Sequence, residues 1–223
     1  MSLERALSKL GIASRVEARA LIVARRVRVG GRVVTDATRR VDPSADSISI
    51  DGKRAHAAQR AYWLLHKPVG YVTTRRDPEG RPTVYDLLPA ELPFLSAVGR
   101  LDRDSSGLLL FTNDTQLAAR LTDPESHLPK VYEVTLNAPV SEDETRILAR
   151  GIELDGQRTL PARFELVKGA GDRLVVTLVE GRNRQIRRMF RHVGRIVVRL
   201  HRVAIGPLGI GTLRVGSARP LRA

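Results

Sequence analysis

Along the first fifty residues the apolar positions change from a helical period to alternation. Leu3, Ala6, Leu7 and Leu10 recur at i, i+3, i+4 and i+7, one face of a helix, and Gly11 follows as its stop. Ser14 with Glu17 three residues later forms the pattern of a capping box and predicts a second helix running to Ala24. "VRVGGRVV" (Val27 to Val34) alternates on both sides of Gly30-Gly31, which predicts a tight hairpin, and "DSISIDG" (Asp46 to Gly52) alternates as a further strand. Residues 1–52 therefore read as one self-contained unit. Residues 53–60, "KRAHAAQR", are polar and aperiodic and read as a flexible tether, with residues 61–223 as a second domain.

From Tyr62 onward the pattern is strand-rich. "YWLLHKP" and "YVTT" flank a turn at Pro68-Val69-Gly70, and "LSAVGRLD" and "GLLLFTND" bracket the segment 99–107. "KVYEVTL" (Lys130 to Leu136) alternates. Ser141 and Glu144 open a helix that Gly151 ends, and "ARFELV" and "RLVVTLVEG" pair across residues 168–172. A last helix covers Arg184 to Val193. Strands dominate without a βαβ rhythm, so the fold class is α+β on a mixed or antiparallel sheet.

Charge sharpens this picture. Among 223 residues, 38 Lys and Arg face 24 Asp and Glu, a net charge of +14, which draws polyanions and makes nucleic acid the leading partner. There is no cysteine, which removes disulfides, thiolate zinc sites and cysteine nucleophiles together. No run approaches the roughly 18 apolar residues of a membrane span, and no signal-peptide pattern opens the chain, so a cytoplasmic location is the default. Nothing reports on oligomeric state, and a monomer is the default.

The basic residues cluster. Arg5, Lys9, Arg15, Arg19, Arg25, Arg26, Arg28 and Arg32 decorate the first unit, with only Glu4 and Glu17 to oppose them before Asp36. This layout, "LERALSKLGIASRVEARALIVARRVRVGGRVV", resembles the S4 RNA-binding domain, which implies contact with the phosphates and shape of structured RNA. In the last helix Ile186, Met189, Phe190 and Val193 make an apolar stripe. Arg184, Arg187, Arg188 and Arg191 repeat the same spacing on another face, as expected of a helix that meets phosphates.

"GRLDRDSSGLLLFTND" (Gly99 to Asp114) sets Asp102 and Asp104 among Arg100 and Arg103, next to small residues that permit close approach. Opposite charge favours the ionised carboxylate, a form suited to nucleophilic attack. On spacing alone the two aspartates serve equally well as turn caps or salt-bridge partners.

The segment resembles the catalytic motif of pseudouridine synthases, and three others agree in order: "HKPVGYV", "KVYEV" and "EGRNRQIRRMF" followed by "VGRIVVRLHRVAIG". With the S4-like unit in front, nearly the whole chain is similar to the RsuA family of ribosomal RNA pseudouridine synthases. The resemblance implies Asp102 as the catalytic carboxylate and Tyr132 as the floor beneath the target uracil. It implies Arg187 as the partner of Asp102, Ile186 as packing beside the base, and Arg100 and Arg103 on the RNA side. Lys67 and Lys130 occupy motif positions that fit phosphate contact or structural support equally. The reaction breaks C1′–N1 and rejoins C1′ to C5 with no redox change or net hydrolysis, so no metal or organic cofactor is implied. The expected substrate is a uridine in a stem-loop of ribosomal RNA, with a lean to the large subunit. A non-catalytic RNA-binding assembly factor fits the composition equally well, but leaves Asp102, Tyr132 and Arg187 without a role. A glycoside-cleaving enzyme wants a second carboxylate, for which Asp104 and Glu180 are available only amid RNA-facing charge.

Overall fold

A computed structural model describes residues 1–221. In the N-terminal unit, helices α1 (Leu3–Lys9) and α2 (Arg15–Val23) pack on a sheet of β1 (Val27–Val29), β2 (Arg32–Val33), β3 (Ile48–Ile50) and β4 (Lys53–Arg54), in the order β2-β1-β3-β4. Leu3, Leu7, Ile22, Val27 and Ile48 form its core. The capping box is as the sequence predicts: the Glu17 N–H donates to Ser14 Oγ at 3.0 Å and the Ser14 N–H to Glu17 Oε2 at 2.8 Å. Gly30 and Gly31 both have positive φ, 58° and 77°, the twist a two-residue hairpin needs.

The tether differs from its prediction. Asp51 and Gly52, with φ of 50° and 81°, make a second two-residue turn, and Lys53–Arg54 returns along β3. Asp-Gly is a strong hairpin signal that a reading ending the strand at Gly52 overlooks. The next residues are held as well. The Ala58 N–H donates to Leu10 O, and Asn113 binds Gln59 O and the Ala61 N–H. Arg75 reaches from the larger unit to Glu17 at 3.1 Å, with its guanidinium over the rings of Tyr85 and Phe94.

The larger unit runs β5 (Tyr62–Lys67), β6 (Ser96–Val98), β7 (Ser106–Thr112), α3 (Thr115–Thr122), β8 (Lys130–Leu136), α4 (Glu142–Ala149), the hairpin β9 (Glu153–Leu154) and β10 (Gln157–Arg158), β11 (Arg163–Val167), β12 (Ala170–Leu178), α5 (Gln185–His192), β13 (Val197–Ile205), β14 (Leu208–Gly209) and β15 (Ala218–Pro220). Nine strands form one sheet along β11-β12-β8-β13-β7-β5-β15, with β14 on β13 and β6 on β7. Its ladders are antiparallel except between β7 and β13, where His201 lies opposite Ser106 and Arg202 opposite Gly107. Two antiparallel blocks thus meet at one short parallel seam. "YVTT" contributes only an isolated bridge, Val72 to Thr83, and α3 stands where no helix was predicted, capped by the Asp114 carboxylate.

The unbroken apolar run Leu108–Phe111 has a direct cause, since β7 is covered on both faces. Leu108 packs with Leu64 and Ile205 on one side, and Leu109 and Phe111 with Leu65 and Leu95 on the other. On the other block Val134 and Leu136 of β8 and Leu174, Val176 and Leu178 of β12 alternate toward α5, which buries Ile186, Met189 and Phe190 against them. Each such side chain contributes about 1.5–3 kcal/mol on burial, enough to fix the rotation of this short helix. That rotation decides which way its arginines point.

Candidate active site

Asp102 sits in the loop from Gly99 to Ser105 that feeds β7 at the parallel seam. The carbonyls of this loop are held one after another. Arg100 O accepts from Arg202 Nη1 at 3.5 Å, Leu101 O from Thr73 Oγ1 at 2.7 Å, and Asp102 O from the Ser105 N–H at 3.1 Å. Arg103 O accepts from the Gly70 N–H at 2.8 Å, Asp104 O from Arg187 Nη2 at 2.8 Å, and Ser105 O from Lys67 Nζ at 2.6 Å. A loop this short forms no ladder of its own, so the side chains of Arg202, Thr73, Arg187 and Lys67 supply four of these donors and the Ser105 and Gly70 N–H groups the other two.

The loop borders a cavity of about 430 Å³ lined by Asp102, Tyr132, Ile186, Arg100, Lys130 and Arg184, among others. The Asp102 side chain is 30 % exposed, and its nearest cation is Arg184, with Nη1 at 3.6 Å. Tyr132 lies on β8, opposite Arg202 of β13 and Val176 of β12, at the open end of the row that α5 covers. Ile186 is buried in the first turn of α5 and reaches both the core and the cavity. Asp102, Tyr132 and Ile186, which the sequence separates by up to 84 positions, thus border one space.

Arg187 lies elsewhere than expected. Its side chain is 11 % exposed, and Nε stands 3.2 Å from Asp104 Oδ2, while its terminal nitrogens donate to Val197 O and Asp104 O. Its ion pair is with Asp104, not Asp102. The turn closed by the Ser105 N–H on Asp102 O carries Asp104 toward α5 and leaves Asp102 to the cavity. Arg184 also holds Asp104, Nη1 to Oδ1 at 3.1 Å and Nη2 to Oδ2 at 2.8 Å. Burial pushes the Asp104 carboxyl up, but the Arg184 hydrogen bonds and the charges of both arginines outweigh it and hold it below its ordinary value.

The four arginines of this segment do not share one face. Arg184 precedes α5 with φ of 49°, Arg187 points inward, Arg188 is bidentate to Asp155 at 2.8 and 2.6 Å, and Arg191 is exposed. Lys67 is a correction of a different kind. At 0 % exposure it touches no solvent, and Nζ donates to Pro68 O and Ser105 O, so it braces the loop and meets no phosphate. Burial drives its ammonium down to about 8, against the pull of Asp102 and Asp104, with Arg202 adding to the depression. Lys130 is half-buried on the cavity wall and is lowered by burial and by the charge of Arg202.

Residues 61–192 match the family described as RNA pseudouridylate synthase, and residues 1–47 match the S4 domain. The chain belongs to the RNA pseudouridylate synthase family. An uncharacterized RNA pseudouridine synthase of Mycobacterium tuberculosis is 42 % identical, the match covering 99 % of this chain and 89 % of that one. The ribosomal small subunit pseudouridine synthase A of Pseudomonas aeruginosa is 40 % identical over 100 % and 97 %, and the ribosomal large subunit pseudouridine synthase B of Bacillus subtilis 36 % over 98 % and 91 %. A solved pseudouridylate synthase superposes with a TM-score of 0.73 at 32 % identity, covering 100 % of this chain and 96 % of that one.

In this pseudouridine synthase Arg5, Lys9, Arg15 and Arg25 are exposed on the S4 domain, as are Arg100 and Arg103 on the loop that carries Asp102. Arg19 pairs with Glu4, Arg26 with Asp51, and Arg28 donates to Gly31 O. Exposed pairs of this kind are weak and screened by solvent. Two residues that organise the synthase site escaped sequence reasoning as such. Asp104 was indistinguishable from Asp102 by spacing. Arg202 stood in a quoted motif, but nothing in a strand pattern marks a guanidinium as buried.

Proposed function

We propose that this synthase isomerises a uridine of structured ribosomal RNA, with Asp102 as the nucleophilic carboxylate. The observation that carries the reading is the division of labour between the two aspartates. Asp104 is consumed by Arg184 and Arg187, whereas Asp102, two residues away, remains accessible on the cavity wall beside Tyr132. A fixed carboxylate at the edge of a partly apolar pocket suits a reaction in which a base is detached, turned and rejoined. Nothing is oxidised or hydrolysed in that sequence. The pocket keeps water from a sugar carbon that has lost its base.

The target uridine has to leave its stack first, at a cost of a few kcal/mol. Tyr132 offers an aromatic surface for the extruded base, and Ile186 an apolar wall beside it. Arg100 and Lys130 on the cavity lining, with exposed Arg103 on the same loop as Asp102, are placed to meet the adjoining phosphates. Exposed Arg5, Lys9, Arg15 and Arg25 give the S4 domain its grip on the RNA around the target.

The curated relatives named for their substrates divide between the two ribosomal subunits. Ribosomal RNA is the substrate class this supports, and we carry the large-subunit lean of the motif reading as the proposal. Carbodiimide mapping of pseudouridines in ribosomal RNA from cells with and without the gene tests it. Loss of one mark in the large-subunit RNA is expected. Loss confined to the small-subunit RNA overturns the subunit, and an unchanged map overturns the substrate class.

A further inference from the structure

We infer that Arg202 is a positioning residue of the reaction, the buried clamp that sets the loop on which Asp102 is presented. The inference rests on the reading of Asp102 as the reacting carboxylate. The guanidinium of Arg202 bridges the start of that loop and the strand β7 that follows it. Nε donates to Leu108 O at 2.9 Å, where β7 begins to be buried, and Nη1 contacts Arg100 O at 3.5 Å, two residues before Asp102. The residue is 5 % exposed, and Nη2 has no hydrogen-bond partner among the described residues.

Sheet formation does not call for such a group. A buried cation without a carboxylate is costly to desolvate, and an apolar side chain of similar size is often tolerated equally well or better in its place. No carboxylate among the described residues pairs with Arg202. Its backbone is also pressed against the loop: a Cβ on Gly107 would lie 2.2 Å from Arg202 O, so only glycine lets β7 and β13 come this close. The strand register next to it is shifted, with a bulge between Arg202 and Ala204 opposite Tyr132 and Val131. One residue thus joins the Asp102 loop, the seam between the two blocks and the strand that carries Tyr132. What a desolvated guanidinium adds at that junction is a tie between the start of the loop and β7, and a fixed positive charge beneath a loop whose carboxylate must stay in place.

The test measures single-turnover rates at saturating RNA together with RNA affinity for the wild type, Arg202→Met, Arg202→Lys and Asp102→Asn, all as the full chain. A misplacement of about 1 Å costs on the order of 100-fold in rate. Arg202→Met is therefore expected to lose about that much in rate while RNA affinity changes by less than about threefold. Arg202→Lys keeps the charge but spans only one of the two carbonyls, and is expected to recover roughly tenfold of the loss. A rate within about threefold of wild type for Arg202→Met overturns the inference, and so does an equal fall in rate and affinity, the signature of a phosphate contact. If Arg202→Met does not fold, Arg202→Lys decides by the same criteria, and failure of both to fold reduces Arg202 to a scaffold residue. Asp102→Asn separates the two claims. An active Asp102→Asn removes the underlying reading, whereas a silent Asp102→Asn beside a wild-type-like Arg202→Met removes only the clamp.

Discussion

The Nε of Arg187 stands 3.2 Å from Oδ2 of Asp104, and the same carboxylate takes both terminal nitrogens of Arg184. Asp104 therefore neutralises two guanidiniums beside the cavity; it takes Arg187 away from Asp102 and leaves Arg184, at 3.6 Å, as the cation nearest Asp102 among the described residues. Asp104→Asn removes that charge and frees Arg184 to face a phosphate. The expected result is a turnover loss of about tenfold from the loosened Arg187, with binding that is tighter at low salt. Its log–log salt dependence should steepen by roughly 0.7–0.9, one added phosphate contact. An unchanged slope in a filter-binding titration across salt concentrations contradicts this role for Arg184.

How much of this was legible in the sequence depends on which forces act locally. The capping boxes at Ser14–Glu17 and Ser141–Glu144 and the Gly30-Gly31 turn are decided within a few residues, and all three stand where predicted. The apolar stripe of α5 gave its buried face correctly. Sequence reasoning pairs Arg187 with the wrong aspartate and leaves Lys67 open between phosphate contact and support. The loop carbonyls they hold, Asp104 O and Ser105 O, lie 83 and 38 residues away, and no periodicity records which carbonyls lack a donor. Spacing alone does not distinguish Asp102 and Asp104 from turn caps or salt-bridge partners, and only the motif resemblance singles out Asp102; in the structure the turn at Ser105 separates them.

Lys67 makes the stability of the protein depend on pH in the alkaline range. Its ammonium titrates near 8 in the folded chain and at about 10.5 when unfolded. Between these values the unfolded chain holds a proton that the folded chain has released, so stability rises with pH. The contribution is complete above about 10.5 and is lost as pH falls through 8. Lys130, also lowered, adds a slope of the same sign in any variant that retains it. Thermal unfolding of wild type and Lys67→Met from pH 7 to 10.5 isolates the effect: the difference in Tm should move in favour of the wild type as pH rises. A constant difference contradicts it.

Gly107 has φ of 114°, and an added methyl group meets the backbone of Arg202 at 2.2 Å. Backbone cannot yield there without parting β7 from β13. Gly107→Ala should cost about 3 kcal/mol or more, a fall in Tm on the order of 10 °C, with activity lost before RNA binding. Gly80→Ala serves as the control, since its φ of 69° is also positive but an added methyl group has no neighbour within 4 Å. Equal losses in the two variants would assign the effect to backbone strain alone and not to the seam.

The account stands or falls with the carboxylate that Asp104 leaves free. The most direct measurement is tritium release from C5-labelled uridine in ribosomal RNA by Asp102→Asn, set beside its RNA affinity. The substitution keeps the shape of the side chain and removes its charge, so affinity should stay within about threefold of wild type while release falls by about 1,000-fold or more. Release within about tenfold of wild type would show that another group performs the chemistry.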